Sequence, residues 1–139
     1  VLRAAAARGA VRVVESPVHH AESAPRPDLG LVELLGSLSG GRALPDVEDR
    51  ERREIRRRLT ATIARELPER APGRGDAADV EALSLALPHC ELVTCDAFMA
   101  DVVRRTRLDR RYGTELFTGR REDVRRLTAR LAALGPAAP

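Results

Sequence analysis

The stretch DVEALSLALPHCELVTCD, residues 79–96, begins and ends on a carboxylate with mostly apolar material between. Asp79 is a good helix N-cap, and Glu81 falls in the first turn, where negative charge suits the helix dipole. Ala82, Leu83, Leu85, Ala86 and Leu87 follow, and Pro88 does not favour continuation. The pattern predicts a helix from Asp79 to about Leu87. Glu91-Leu92-Val93-Thr94 is a short run with β-branched residues and reads as a buried parallel strand. The helix rises roughly 15 Å at 1.5 Å per residue. A strand over Cys90–Cys95 returns roughly 16 Å at 3.3 Å per residue. Equal and opposite paths would bring Asp79 and Asp96 together at the carboxyl edge of a sheet, where open α/β folds bind ligands. The pair is a candidate cation site; the plainer alternative makes each Asp only a helix cap.

Outward from this unit, the sequence patterns predict alternating strands and helices. Leu2–Arg8 reads as a helix closed by Gly9, and Ala10–Val14 as a strand. Ser16 and Pro17 suit the N-cap and first turn of a short helix carrying His19, His20 and Glu22. Leu29–Leu38 reads as a second helix, and Val47–Leu67 as a long charged one. Its stripe is Ile55, Leu59, Ile63 and Leu67; Arg52, Arg53, Arg56, Arg57 and Arg58 crowd its other faces. Residues 68–75 read as a Pro/Gly loop. Helices are expected over Ala97–Arg105 and Arg121–Leu134, with a short strand at Leu116-Phe117. This alternation implies an α/β fold with helices on both faces of a parallel sheet. A single domain over 1–134 with a Pro/Ala tail, 135–139, is the expected organisation. Glu22 follows the strand over Val11–Val14 and would point back over the same edge. Three carboxylates, Glu22, Asp79 and Asp96, then converge, an oxygen set that suits Mg²⁺ or Mn²⁺. Three acids also repel one another unless a cation is present.

Composition narrows the classes. A chain of 139 residues can build a real core, and with two Phe, one Tyr and no Trp that core must be Leu, Val and Ala. No run approaches the roughly 20 apolar residues of a membrane-spanning helix, and no signal peptide is visible. All 24 basic residues are Arg, yet the net charge is only +3, so the positive charge is a set of local patches. Cys90 and Cys95, on either side of the expected strand, lie too far apart for a disulfide. Two free thiols point to a reducing, cytoplasmic compartment. A zinc site would need more ligands at closer spacing. The chain starts at Val1, inside a helical pattern and without an initiator Met. That reads as a fragment or as a start placed late.

In this order HHAES, DVEAL and LPHCELVTCD resemble PIN domains, the metal-dependent nucleases. The likeness is to a bacterial subgroup with His-x-x-Glu, Asp-x-x-His and Leu-Pro-Tyr-Cys-Asp-x-x-x-Thr-Asp patterns, and it covers roughly Val1–Phe117. Glu22, Asp79 and Asp96 fall on the family's acidic positions, and Thr94 on its strand-end threonine. His89 replaces the usual Tyr, Glu91 the usual Asp, and Cys95 is inserted before Asp96. The resemblance implies a three-layer α/β/α sandwich with a central parallel sheet. It also implies Mg²⁺- or Mn²⁺-dependent phosphodiester cleavage, usually of RNA, with a catalytic role for the three acids and support from Thr94. The family's first aspartate belongs to an opening strand that would precede Val1. A toxin-like ribonuclease with an antitoxin or other protein partner, an RNA-processing enzyme, and a homodimer all fall within this expectation.

Arg suits phosphate by geometry. Arg104, Arg105, Arg110 and Arg111 follow the helix of Asp96 and are the expected phosphate binders; the Arg-rich long helix is a second candidate. Without aromatic platforms, base stacking is poorly served. Two other functions stand beside the nuclease. One is a scaffold that binds RNA or protein without catalysis. The other is an all-helical Arg-rich nucleic-acid binder, which a parallel sheet would exclude.

Overall fold

The computed structural model describes residues 1–66 and 74–135. Among them lie eight α-helices and two strands: α1 Leu2–Ala7, α2 Pro17–Ser23, α3 Leu31–Ser39, α4 Arg50–Glu66, α5 Arg74–Ala86, β1 Leu92–Thr94, α6 Ala97–Thr106, α7 Leu108–Tyr112, β2 Glu115–Phe117 and α8 Arg121–Ala133. They form two compact units, one of Val1–Leu44 with the chain from Arg120, the other of Pro45–Gly119.

This architecture overturns the expected three-layer α/β/α sandwich. The sheet has two strands, and the described residues are mostly helical. The decisive segment is 10–14. Its β-branched residues favour extended backbone, but a strand exists only where a partner completes its hydrogen-bond ladder. Here the chain meets 42–44 at a single parallel bridge, Glu15 to Ala43, where Glu15 N–H donates to Arg42 O and Leu44 N–H to Glu15 O. One bridge is not a strand, and among the described residues the sheet stays at two strands.

In the first unit α2 begins as its residues predict, with Ser16 extended at the N-cap and Pro17 following. A 3-10 turn at Pro27–Leu29 ends in left-handed Gly30, which delays the start of α3 to Leu31. The helix α1 packs with α8, and α2 with α3.

The unit 45–119 holds the main core. On α4, Ile55 and Leu59 are fully buried, and Ile63 packs against the same cluster; Leu67, the fourth residue of the expected stripe, lies outside the described residues. From α5 come Val80 and Leu83, from β1 Val93, from α6 Met99, Val102 and Val103, and from β2 Leu116. Each is a Leu, Val, Ile or Met at the period of its element, so aliphatic packing replaces the missing aromatics. The strands β1 and β2 pair in parallel, with Leu92 opposite Glu115, Val93 opposite Leu116 and Thr94 opposite Phe117. The crossover between them is α6 and α7, as parallel pairing requires. This pair excludes the all-helical reading.

Candidate nucleic-acid interface

The three expected acids have separate local settings. Asp79 does not begin a helix: α5 starts at Arg74, with Asp76 in its first turn. Asp79 therefore sits more than a turn inside, and the matched-length argument loses its starting point. Asp96 does follow the C-terminal end of β1. Its Oδ1 accepts the Met99 N–H at 2.7 Å, the bond of an N-cap. Thr94 is exposed at the strand end. Glu22 is exposed on α2 and belongs to the other compact unit. The neighbouring histidines are used locally. His19 Nδ1 accepts the Ser16 backbone N–H at 3.1 Å, and His20 Nε2 lies 3.2 Å from Glu15 Oε2. Among the described residues no group of three or more His, Cys, Asp or Glu is placed to hold a metal ion. Cys90 and Cys95 are free thiols, and burial raises the Cys90 pKa.

The arginines are arranged otherwise. The apolar stripe of α4 faces the core and packs near α6. The flank of α4 beside that stripe carries Arg57, Arg58, Ala61, Thr62 and Arg65. Together with Arg105, Thr106 and Arg107 they line an open cleft of about 380 Å³. Five of these eight lining residues are Arg; Glu54 pairs with Arg57, Asp101 with Arg105, and Glu66 with both Arg65 and Arg105, so the five cations outnumber the acids that hold them.

Each arginine has a distinct station. Arg58 Nη2 donates to Thr106 O at 2.7 Å, answering a carbonyl at the negative end of α6. Arg57 grips Glu54 with Nε at 3.0 Å and Nη2 at 2.9 Å. Arg105 reaches Asp101 with Nε at 2.7 Å and Glu66 with Nη1 at 3.2 Å. The hydrogen bonds to Glu54 and Asp101 raise the pKa of Arg57 and Arg105 respectively, so both stay charged. A guanidinium carries five N–H donors in a fixed fork. The intrahelical pairs therefore hold the forks in place without exhausting them. Arg57 and Arg65 remain about 70 % exposed at the side chain. Arg107 joins α6 to α7 with left-handed backbone, φ 57°, the one non-glycine residue with positive φ among those described. No ion pair joins Arg107 to an acid among the described residues.

Other arginines of α4 have structural partners. Arg52 Nη2 and Arg56 Nη1 each lie 3.0 Å from the Glu81 carboxylate on α5. Arg52 also reaches Asp46, and Arg56 also bonds Glu48. These pairs tie α4 to α5. A second cleft of about 170 Å³ beside Arg52 has Asp49 and Glu51 in its wall and is a poor place for phosphate.

Of the four expected phosphate binders, Arg105 lines the basic cleft, while Arg104, Arg110 and Arg111 do not. Arg111 instead lies over the Tyr112 ring, 5.4 Å from its centroid. Arg65 and Arg107 were not distinguishable from other arginines by spacing alone. Arg65 shares a helix face with Arg57, Arg58, Ala61 and Thr62, a pattern that becomes informative only once the core face is known. No protein-family model, curated protein or solved structure matches the chain.

Proposed function

We propose that the unit 45–119 binds nucleic acid, RNA in the first instance, by its phosphates and without cleaving it. The observation that carries this reading is the cleft lined by five arginines, from α4, from the end of α6 and from the α6–α7 joint. Guanidinium forks on two walls suit phosphate oxygens in geometry as well as charge. The net charge of +3 is too small to attract polyanions over the whole surface, so the affinity must come from a local cluster. Fluorescence anisotropy with a labelled RNA tests it. Binding should weaken steeply with salt, because each phosphate contact releases counterions. Arg65→Ala and Arg107→Ala should each lower affinity roughly tenfold, the loss of about 1.5 kcal/mol from a charged contact. No binding at low salt would refute the proposal. The same RNA incubated with Mn²⁺ addresses the nuclease alternative. Mn²⁺-dependent cleavage that disappears in Asp96→Asn would favour that alternative over a purely binding role.

A further inference from the structure

We infer that the cleft takes the phosphodiester backbone of double-helical nucleic acid and reads no unpaired base. This rests on the cleft being a nucleic-acid phosphate site, and it specifies the form of the ligand.

The first observation is where the aromatic rings are. Single-strand binders combine a basic groove with rings on which bases stack. The chain has three aromatic side chains in all. Phe117 is fully buried and Phe98 packs against the core. The Tyr112 hydroxyl donates to Glu51 Oε1 at 2.8 Å, and Arg111 lies over its ring. None of the three lines the cleft. An extruded base would find Ala61, two threonines and guanidinium groups there, and no ring to lie on.

The second observation is the layout of charge. From Arg57 to Arg65 the first bank of the cleft runs roughly 12 Å along α4, at 1.5 Å per residue. Arg105 and Arg107 form the second bank. A backbone lying between the banks meets guanidinium groups on both sides. A duplex presents one negative charge per about 1.7 Å of axis, twice the density of either strand alone. Where only phosphates are read, that density favours the duplex.

The third observation is Arg107. Left-handed backbone costs an L-residue roughly 1–2 kcal/mol, and a helix end of this kind is ordinarily glycine. The left-handed joints at Gly30, Gly40 and Gly113 follow that rule; Arg107 departs from it. Strain of this sort collects at functional positions. Here it sets a guanidinium in the second bank.

The experiment uses the full chain and labelled RNAs of one length: a GC-rich duplex, an AU-rich duplex and the separate strands. Both duplexes should bind alike and about fivefold more tightly than the strands at equal salt. Arg107→Gly should reduce the slope of log affinity against log salt by about 1. The same variant should raise Tm by about 4 °C as the backbone strain is relieved. Lost affinity in a more stable protein cannot be a folding defect. Arg125→Ala, an equal loss of charge on α8, should leave the slope unchanged. Preference for single strands, or a tenfold difference between the two duplexes, overturns this inference and leaves phosphate binding intact. An unchanged slope in Arg107→Gly overturns the assignment to this cleft. No binding to any of the RNAs overturns both this inference and the proposed function.

Discussion

Asp96 lies two residues beyond the end of β1, caps α6, and accepts the Met99 N–H at Oδ1. The first donors of a helix have no partner within it, so this side chain has a structural use whether or not it has another. Asp96→Ala should cost about 1 kcal/mol, whereas Asp96→Asn, an equally good cap, should cost little. Urea unfolding of both variants checks this; equal losses would show that charge, and not capping, is what the position requires. Tyr112 offers a second residue-scale test. Its pKa is pushed up to about 12, by burial first and then by its hydrogen bond to Glu51. A phenol whose folded pKa is raised contributes stability that is present below its unfolded pKa, near 10. That contribution is lost as pH rises through the folded value. With one Tyr and no Trp, near-ultraviolet tyrosinate absorbance reads this group alone. The midpoint should lie near 12, and Glu51→Gln should lower it only in part, because the contribution of burial remains. A wild-type midpoint at 10 would mean that Tyr112 is neither buried nor bonded to Glu51. Residues of this scale were unevenly legible. The place of Asp96 after a strand follows from local pattern. Asp79 was misplaced because α5 begins at Arg74, ahead of the residue that looks most like a cap. Arg107 could not be foreseen, since nothing in TRLD marks a left-handed joint.

At the scale of elements, α5, β1 and β2 are tied by one buried hydroxyl. Thr114 Oγ1 lies 3.2 Å from Leu87 O and 3.1 Å from Cys90 O, where α5 has ended and β1 is about to start. Glu115 N–H donates to Glu91 O at 2.7 Å immediately beyond, which fixes the register of the parallel pair. Thr114→Val keeps the shape and removes the donor, leaving buried carbonyls short of a partner. The expected loss is about 1–3 kcal/mol, read as a lower urea midpoint with unchanged slope. A neutral result would show that water replaces the hydroxyl. Elements with a strong period were legible: α4 by its Ile55–Leu59–Ile63 stripe, α6 by Met99, Val102 and Val103, β1 by its compact apolar run. The segment 10–14 misled because its residues are right for a strand while its partner is not. The five residues of α7 were missed because LDRRY offers one buried side chain, Leu108, and no stripe. Of the basic cleft, the individual arginines were visible but their convergence was not. It depends on α4 and α6 packing side by side, which is a tertiary fact.

At the scale of the molecule, the alternation of helical and extended patterns suggested a sheet with layers on both faces. Alternation fixes an order of elements but not how many strands find partners, and here two do. The two compact units differ in what they bury. In the unit 45–119 eleven apolar residues form one buried cluster. In the other, the buried apolar residues among those described are Ala5, Leu44 and Leu131, while Leu29, Leu31, Val32 and Leu34 stay exposed. Burial of apolar surface contributes roughly 25 cal/mol per Å², and local opening is easiest where such burial is least. Hydrogen exchange should therefore be slowest at the amides of α4 and α6 and faster throughout α2 and α3. Leu59→Ala opens a cavity in the cluster and should cost about 2–5 kcal/mol. Exchange in α4 and α6 should accelerate in that variant, while rates in α2 and α3, limited already by their own opening, should change little. Uniform acceleration across all helices would show a single cooperative unit and contradict the division. Unchanged exchange in α4 would mean that Leu59 is not central to the core at all.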